Sequence, residues 1–430
     1  MQKGRRPGRP SPAPPAILRS VNEGYDGAAI LDELRTPSGV VLWQTVHDLA
    51  LWASTPPERR GALWASKAAS RRARQLQETT IDDQLRPWLG VLSTVLHSGR
   101  TVEVEDVVGA CRRISDWAER NSYSKTAIWY AQAAALLSPT VAEHAYTVGA
   151  VSRRASDYPR AFTWYTRSIG LALRRADRRT YARAYRGIGQ ILMQRGAFDM
   201  AERSFRRAYQ SARRAGVRDV AAEALHDLYT VAVETGRKGE AEELARRAFN
   251  AYPSAHPRLA ALAHDVAVFW MMQGHHARAL PVLHAVLGTG LNLSDRLLAV
   301  SGIARAAGSA EDRDAFLSAW VETWEIIDAN PELECVTSSL VRLAYGSASL
   351  GDRERVELAA GFALKLALKR GQTPVADEAR AILEGAVDVS VEAPVEPEVE
   401  QLASRLMTRL RKRARSTAGT GPHRVPCLRC

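Results

Sequence analysis

The chain has 430 residues, of which 25% are charged and 46% hydrophobic, and its formal net charge is +12 at pH 7. These values are those of a soluble globular protein with enough apolar material for a continuous core. No run of about 18 apolar residues occurs, so no membrane span is expected. The N-terminus is basic but lacks the apolar segment of a secretory signal. The sequence therefore predicts a cytoplasmic protein.

The first hundred residues divide into a leader and a group of helices. Residues 1–16 are rich in Pro, Gly and Arg, which predicts a disordered basic leader because such a segment cannot build a core. Residues 17–100 show apolar helical spacing without a repeat, which predicts an N-terminal helical cap. The tryptophans of this segment are interpreted as core anchors, with an exposed aromatic binding cluster as the alternative. They are Trp43, Trp52, Trp64 and Trp88.

The segment from Tyr185 to Ala208 predicts two helices joined by a turn at Gly196. Tyr185, Ile188 and Leu192 recur at helical spacing in the first helix. Gly189 within this stripe indicates close approach of a neighbouring helix, because glycine otherwise weakens a helix. The second helix alternates small and large apolar residues, which favours interdigitation of the two helices. These residues are Ala201, Phe205 and Ala208.

The same pattern recurs along the chain at nearly fixed spacing. The small residue that opens each second helix appears at steps of 34, 40, 40 and 38 residues, at Ala127, Ala161, Ala201, Ala241 and Ala279. Prolines end two of the second helices, at Pro139 and Pro253. Turn glycines are predicted at Gly236, Gly274, Gly308 and Gly351. The register weakens near Gly308, where Arg313 falls at a position expected to be small.

This arrangement of small and large residues resembles the tetratricopeptide repeat (TPR). The resemblance implies an all-α fold in which residues 101–386 form a right-handed superhelical solenoid of antiparallel helix pairs. The N-terminal helical cap precedes the solenoid, and a flexible C-terminal tail follows it.

Residues 387–430 are expected to form an acidic linker, a basic helix and a flexible end. Leu402, Leu406 and Leu410 would lie on one side of the helix, with arginines around them. Three interpretations stay open: docking on the chain itself, contact with an acidic surface such as a partner, nucleic acid or anionic lipid, and an untethered tail. Much of the basic charge is assigned to the two chain ends, and the remaining arginines are interpreted as scattered over solvated helix faces.

No catalytic or cofactor constellation stands out in the sequence, so no enzyme activity and no cofactor are expected. The C-terminal residues His423, Cys427 and Cys430 are spaced as H-x3-C-x2-C. A structural zinc site needs four ligands and only three converge here, so this is a weak metal candidate and no metal is assigned.

The resemblance to the TPR family implies a groove lined by the first helix of each pair. A non-catalytic protein-binding or peptide-binding scaffold is therefore the expected function, with a partner that carries acidic groups. The alternative is a TPR-containing regulator that contacts nucleic acid or another acidic surface through its basic termini. Arg186→Glu should weaken partner binding without changing the melting temperature, because the side chain is expected at the surface. The predicted groove residues are Tyr146, Arg153, Arg183, Arg186, Gln190, His226, Thr230, His264 and Met271.

Overall fold

The computed structural model describes residues 28–96, 102–253, 256–331, 333, 335–370, 372–386 and 397–417. These residues form helices and connecting turns, with no strand among them, which confirms the all-α prediction. The chain divides into two compact units, Met1–Asp227 and Leu228–Cys430. None of the described helices is both long and apolar enough to cross a membrane.

The first unit begins with four helices that precede the repeats and continues with helix pairs. Two short 3-10 segments, Pro57–Ala62 and Thr94–Leu96, lie among the first four helices. The α-helices of this unit are α1 (Ala28–Glu33), α2 (Pro37–Ser54), α3 (Ser66–Glu78), α4 (Arg86–Ser93), α5 (Val104–Arg120), α6 (Ser124–Leu137), α7 (Ala142–Arg154), α8 (Tyr158–Arg174), α9 (Arg178–Gln194) and α10 (Phe198–Arg214). Helix α11 (Arg218–Glu234) contains the boundary between the units.

Helices α1, α2 and α4 pack on α5 and α6, the first helix pair of the repeats, and α3 packs on α4. The carboxylate of Glu33 accepts hydrogen bonds from the backbone N–H groups of Lys125 and Thr126, at 2.6 and 2.9 Å. It thereby satisfies amide groups in the first turn of α6 that have no partner within the helix. The Tyr130 hydroxyl donates to the Leu42 carbonyl at 3.0 Å, which ties α6 to α2. Trp52 is buried, and Trp43, Trp64 and Trp88 are partly buried against the same core.

Close helix crossings within the repeats occur where the sequence predicts small residues. A Cβ atom at Gly189 would lie 2.6 Å from Cδ1 of Phe205, a buried ring on α10. Ala201 and Ala208 are fully buried beside Phe205 on the same helix. Gly196 ends α9 with φ of +70°, a conformation that an L side chain rarely adopts. The helix-turn-helix repeat predicted for this segment is therefore confirmed.

The second unit continues with helix pairs and ends in a single long helix. Its α-helices are α12 (Lys238–Ala251), α13 (Leu259–Met272), α14 (His276–Leu287), α15 (Leu293–Ser309), α16 (Arg313–Ala329), α17 (Val336–Ser349), α18 (Arg353–Lys369), α19 (Thr373–Leu383) and α20 (Pro397–Thr417). Pro139 and Pro253 follow the ends of α6 and α12, as predicted.

The turn predicted at Gly308 is wrong, because this glycine lies inside α15. A Cβ atom at position 308 would lie 2.6 Å from the Gly346 Cα atom, so the two glycines permit close approach of the α15 and α17 backbones. Glu311 forms the turn instead, with φ of +58°. Phe316 on α16 follows this turn by five positions, where Ala201 follows Gly196, and so occupies the position predicted to be small. A Cβ atom at Gly346 would lie 3.0 Å from Cε2 of the Phe316 ring.

Helix α20 packs on α13 and α14. Leu402, Leu406 and Leu410 are buried on one side, and the guanidinium of Arg409 donates to the carbonyls of Phe249 and Tyr252 at 2.8 and 3.3 Å. Because these carbonyls lie at the C-terminal end of α12, the arginine supplies donors that the helix itself lacks. This packing agrees with the predicted basic helix and, among the three open interpretations, with docking on the chain itself, so the flexible tail expected after the solenoid is corrected for residues 397–417. The predicted leader 1–16 and residues 387–396 and 418–430 lie outside the described residues.

Candidate binding surface

Ion pairs connect the first helices of successive repeats in the first unit. Arg154 on α7 is paired with Glu119 on α5, and Arg183 on α9 is paired with Glu143 on α7, each at 2.6 Å. Arg179 at the start of α9 is paired with Asp219 at the start of α11. The partners in these three pairs are separated by 35, 40 and 40 residues, close to the period of the repeat. Side chains at matching positions of neighbouring repeats thus bind one another.

Arg186 belongs to the same set of pairs and is only 6% exposed. Its Nε atom lies 2.5 Å from Oδ2 of Asp227, and its Nη1 atom is paired with Glu223. Both carboxylates lie on α11 and are themselves largely buried. The expectation that Arg186 faces solvent is therefore corrected: Glu223 and Asp227 neutralise the guanidinium below the surface.

Four further predicted groove residues are also buried, although a groove-lining side chain should be accessible. In the first unit these are Arg153, at 8% exposure, and His226, at 3%. In the second unit His264 and Met271 are 0% and 1% exposed, and the Nδ1 atom of His264 lies 3.2 Å from the carboxylate of Asp265. A ligand cannot reach side chains that are buried to this extent. We therefore do not assign these four residues to the groove lining, which corrects the expectation from the sequence.

Tyr146 and Arg183 remain partly accessible on neighbouring first helices. The Arg183 guanidinium carbon lies 4.0 Å from the centre of the Tyr146 ring, and its Nη1 atom donates to Glu143 at 2.6 Å. Burial acts to lower the pKa of Arg183, but Tyr146 and Glu143 outweigh it and raise the pKa above its usual value. The arginine is therefore held charged over the tyrosine ring.

Gln190 and Thr230 are half-buried, each in a different unit. The Gln190 amide approaches Oδ1 of Asp227 at 3.5 Å, at the margin of a hydrogen bond. Of the nine predicted groove residues, the structure thus brings Tyr146, Arg183 and Gln190 to accessible positions in the first unit and leaves Thr230 at such a position in the second.

Within the described part of the chain, no group of His, Cys, Asp and Glu side chains could hold a metal ion. His423, Cys427 and Cys430 lie outside the described residues. Cys111 is buried in α5, and burial raises the pKa of its thiol well above the usual range, which makes it unreactive. Cys335 precedes α17 and is partly buried.

A concentration of basic charge lies inside the repeats, in addition to the basic charge at the two chain ends. Residues 158–217, which comprise α8 to α10, contain fourteen arginines, no lysine and three acidic residues. Their net charge of +11 is close to that of the whole chain. A count of charges in each repeat would have shown this from the sequence alone.

Comparison with known proteins agrees with the repeat architecture. The family model described as the tetratricopeptide repeat matches residues 140–214 and 180–254. Residues 140–254 are therefore tetratricopeptide repeats, and the resemblance predicted from the sequence is confirmed. A search of the curated proteins finds no match to the chain.

Three solved structures are similar to this chain at low identity. The apo form of RapI is 11% identical, with a TM-score of 0.48, and the match covers 81% of this chain and 99% of RapI. The Rap conjugation gene regulator of the plasmid pLS20, solved in complex with the Phr* peptide, is 12% identical, with a TM-score of 0.40 and coverage of 89% and 99%. BtubC from P. vanneervenii is 14% identical, with a TM-score of 0.40 and coverage of 54% and 94%.

Proposed function

We propose that the protein is a non-catalytic scaffold that binds a peptide or protein segment on the first-helix face of its TPR repeats. The supporting observation is the contact between Tyr146 and Arg183, on successive first helices within the segment that matches the repeat family. Tyrosine and arginine are the residue types that most often dominate binding energy at protein interfaces. A cytoplasmic location, inferred from the sequence, is part of this proposal.

The two side chains are ordered before any ligand binds. Glu143 holds Arg183, and Arg183 covers one face of the Tyr146 ring, which also lies 5.7 Å from the ring of Tyr165 between centroids. A ligand therefore need not order these side chains, which reduces the entropic cost of binding. A guanidinium has five N–H donors, so Arg183 keeps donors beyond the one directed at Glu143, and an acidic group on the ligand would accept them.

The ion pairs between first helices have a supporting role in this proposal. Arg154 joins α7 to α5, and Arg186 joins α9 to α11, so each helix that carries Tyr146 or Arg183 is held against a further repeat. We accordingly assign ligand contact in the first unit to Tyr146, Arg183 and Gln190, and we assign a positioning role to Arg186.

Selection from a phage-displayed library of random peptides tests the proposal. The peptides enriched on the wild-type protein are synthesised, and their dissociation constants are measured for Tyr146→Ala and Arg183→Gln. Each variant should bind about tenfold or more weakly, the loss expected for a hydrogen bond to a charged group or a buried aromatic contact. Phe162→Ala is the matched control, because Phe162 is an exposed aromatic residue on α8 in the same unit. Equal losses for Phe162→Ala and Tyr146→Ala would overturn the proposal.

A further inference from the structure

The arginines of α8 to α10 do not spread evenly over the first unit. Helix α8 ends with Arg174 and leads through Arg175 into α9, which begins with Arg178 and Arg179. One repeat later, α10 ends with Arg213 and Arg214, and α11 begins with Arg218. We call these seven residues the basic edge: Arg174, Arg175, Arg178, Arg179, Arg213, Arg214 and Arg218.

The two turns that carry the basic edge lie side by side. Successive helices of TPR repeats are antiparallel, so the α8–α9 turn and the α10–α11 turn lie at the same end of their repeats. The ion pair between Arg179 and Asp219 joins the start of α9 directly to the start of α11. Equivalent arginines are 39 residues apart in the chain, as Arg174 and Arg213 show. The positive charges therefore repeat in space with the period of the fold.

The arginines of the basic edge are exposed, and most of them have no carboxylate partner. All seven are exposed, and among the described residues no ion pair is formed by Arg174, Arg178, Arg213, Arg214 or Arg218. Asp219 is paired with Arg179, and Asp177 accepts from the backbone N–H of Thr180 as the N-cap of α9. Burial, and after it the nearby charge of Arg174, lowers the pKa of Arg167 on the same helix.

Helix stability does not explain these residues. An arginine in the last turn of a helix is favoured by the helix dipole, which accounts for Arg174 and Arg214. Arg178 and Arg218, however, are the first residues of α9 and α11, where the dipole disfavours a cation. The first turn of α9 contains no acidic residue. The helix dipole therefore gives no reason for arginine at these two positions, although Asp177 caps α9 and Asp219 lies in the first turn of α11.

We propose that the basic edge binds the phosphate backbone of a nucleic-acid duplex without reading its sequence. Arginine binds phosphate through two parallel N–H donors, and regularly spaced arginines match a regularly spaced polyanion. An acidic protein is less well matched, because protein interfaces centre on exposed aromatic and apolar anchors, whereas the ring beside the basic edge, Tyr209, is half-buried and lies 5.9 Å from the guanidinium carbon of Arg213. One half-buried ring is also a poor stacking platform for the bases of a single strand. The basic edge shares no residue with the contact of Tyr146 and Arg183, which it adjoins at the start of α9.

Fluorescence anisotropy with a labelled duplex DNA of mixed sequence, over a series of NaCl concentrations, tests this proposal. The test variant is Arg178→Gln with Arg214→Gln. The control is Arg195→Gln with Arg203→Gln, which removes the same amount of charge. Both control arginines are exposed and form no ion pair with any described residue, and they lie near the turn that connects α9 to α10, at the opposite end of these helices from the basic edge. The test variant should bind about tenfold more weakly, and the slope of log K against log salt should decrease by about two, because each lost phosphate contact removes about 0.9. The control should keep most of the wild-type affinity and slope.

Three results would overturn the proposal. The first is an equal loss of affinity in the test and control variants, with circular dichroism showing both folded, since this would reduce the effect to net charge. The second is loss of DNA binding in Arg411→Gln with Lys412→Gln, two exposed residues of α20, which would assign the contact to the C-terminal helix. The third is tighter binding of a labelled polyglutamate peptide than of the duplex, which would indicate an acidic protein partner.

Discussion

Arg186 on α9 is paired with Asp227 on α11 across one repeat, with Nε 2.5 Å from Oδ2 and both side chains less than a tenth exposed. The pair makes the arginine part of the structure and not a free cation on the surface. Burial of charge is costly, but a hydrogen-bonded partner in the same site offsets the cost.

Removal of one partner should therefore destabilise the protein. Arg186→Ala leaves the carboxylates of Glu223 and Asp227 buried beside an empty space, so the free energy of unfolding should decrease by about 3 to 5 kcal/mol. Urea denaturation followed by circular dichroism measures it. Arg203→Ala, at an exposed position on α10, should stay within about 0.5 kcal/mol of wild type. An unfolding transition of Arg186→Ala equal to that of the wild type would contradict the buried ion pair and would favour a surface position for Arg186.

The helix crossing at Gly189 predicts opposite effects for two glycine substitutions. In Gly189→Ala the new methyl group would overlap the buried Phe205 ring, so stability should decrease by about 1 to 3 kcal/mol. In Gly170→Ala nothing lies within 4 Å of the new Cβ atom, and the better helix propensity of alanine should raise stability by up to about 1 kcal/mol. Thermal melting of the two variants measures both signs. A stabilised Gly189→Ala would contradict the packing of α9 on α10.

Helix α20 should resist trypsin although it carries several arginines. Leu406 is fully buried, so Leu406→Asp places a charge against the apolar residues beneath the helix and should release it. In Leu406→Asp, trypsin should then cleave rapidly between Arg405 and Lys412, and mass spectrometry of the fragments over time measures the rate. Thr408→Asp is the control, because Thr408 is exposed on the same helix. Equally rapid cleavage of the wild-type helix would show that α20 is not docked.

His144 predicts a pH dependence of stability. Burial is the main cause that lowers its pKa, and Arg112 lowers it further, against a smaller opposing effect of Glu143. The unfolded chain therefore binds a proton at a higher pH than the folded chain. The contribution of His144 to the free energy of unfolding is fully present above the unfolded pKa of about 6.5. This contribution is lost as the pH falls through the folded pKa, by at most about 1.4 kcal/mol per pH unit. His144→Gln should reduce the slope of unfolding free energy between pH 7 and 5, and an unchanged slope would exclude this histidine as the cause.

Local patterns in the sequence predicted the helices and most turns, whereas contacts between repeats were harder to predict. Gly196 and Gly236 were identified correctly as turns because each follows an apolar stripe in the sequence. In the structure both have positive φ. Gly308 follows a similar stripe, but its partner is Gly346, which lies in the next repeat and gives no local signal.

The candidate site was predicted less well than the fold for the same reason. Spacing identified the helix face of Arg186 but not the two carboxylates that bury it, which lie 37 and 41 residues further along the chain. Because these separations are close to one repeat, a search for opposite charges at the repeat period would have found the pairs. Tyr146 and Arg183, which are 37 positions apart, were identified separately but not as a contact pair.

Site-specific photo-crosslinking tests the binding surface most directly. The photoreactive residue p-benzoylphenylalanine is introduced at position 146 in one variant and at position 162 in another, and each is irradiated with a peptide selected on the wild-type protein. Crosslinks should form from position 146, and mass spectrometry should locate them on the peptide, while position 162 gives none. Crosslinks from position 162 and none from position 146, with both variants folded, would contradict the assignment of the binding surface to the first helices.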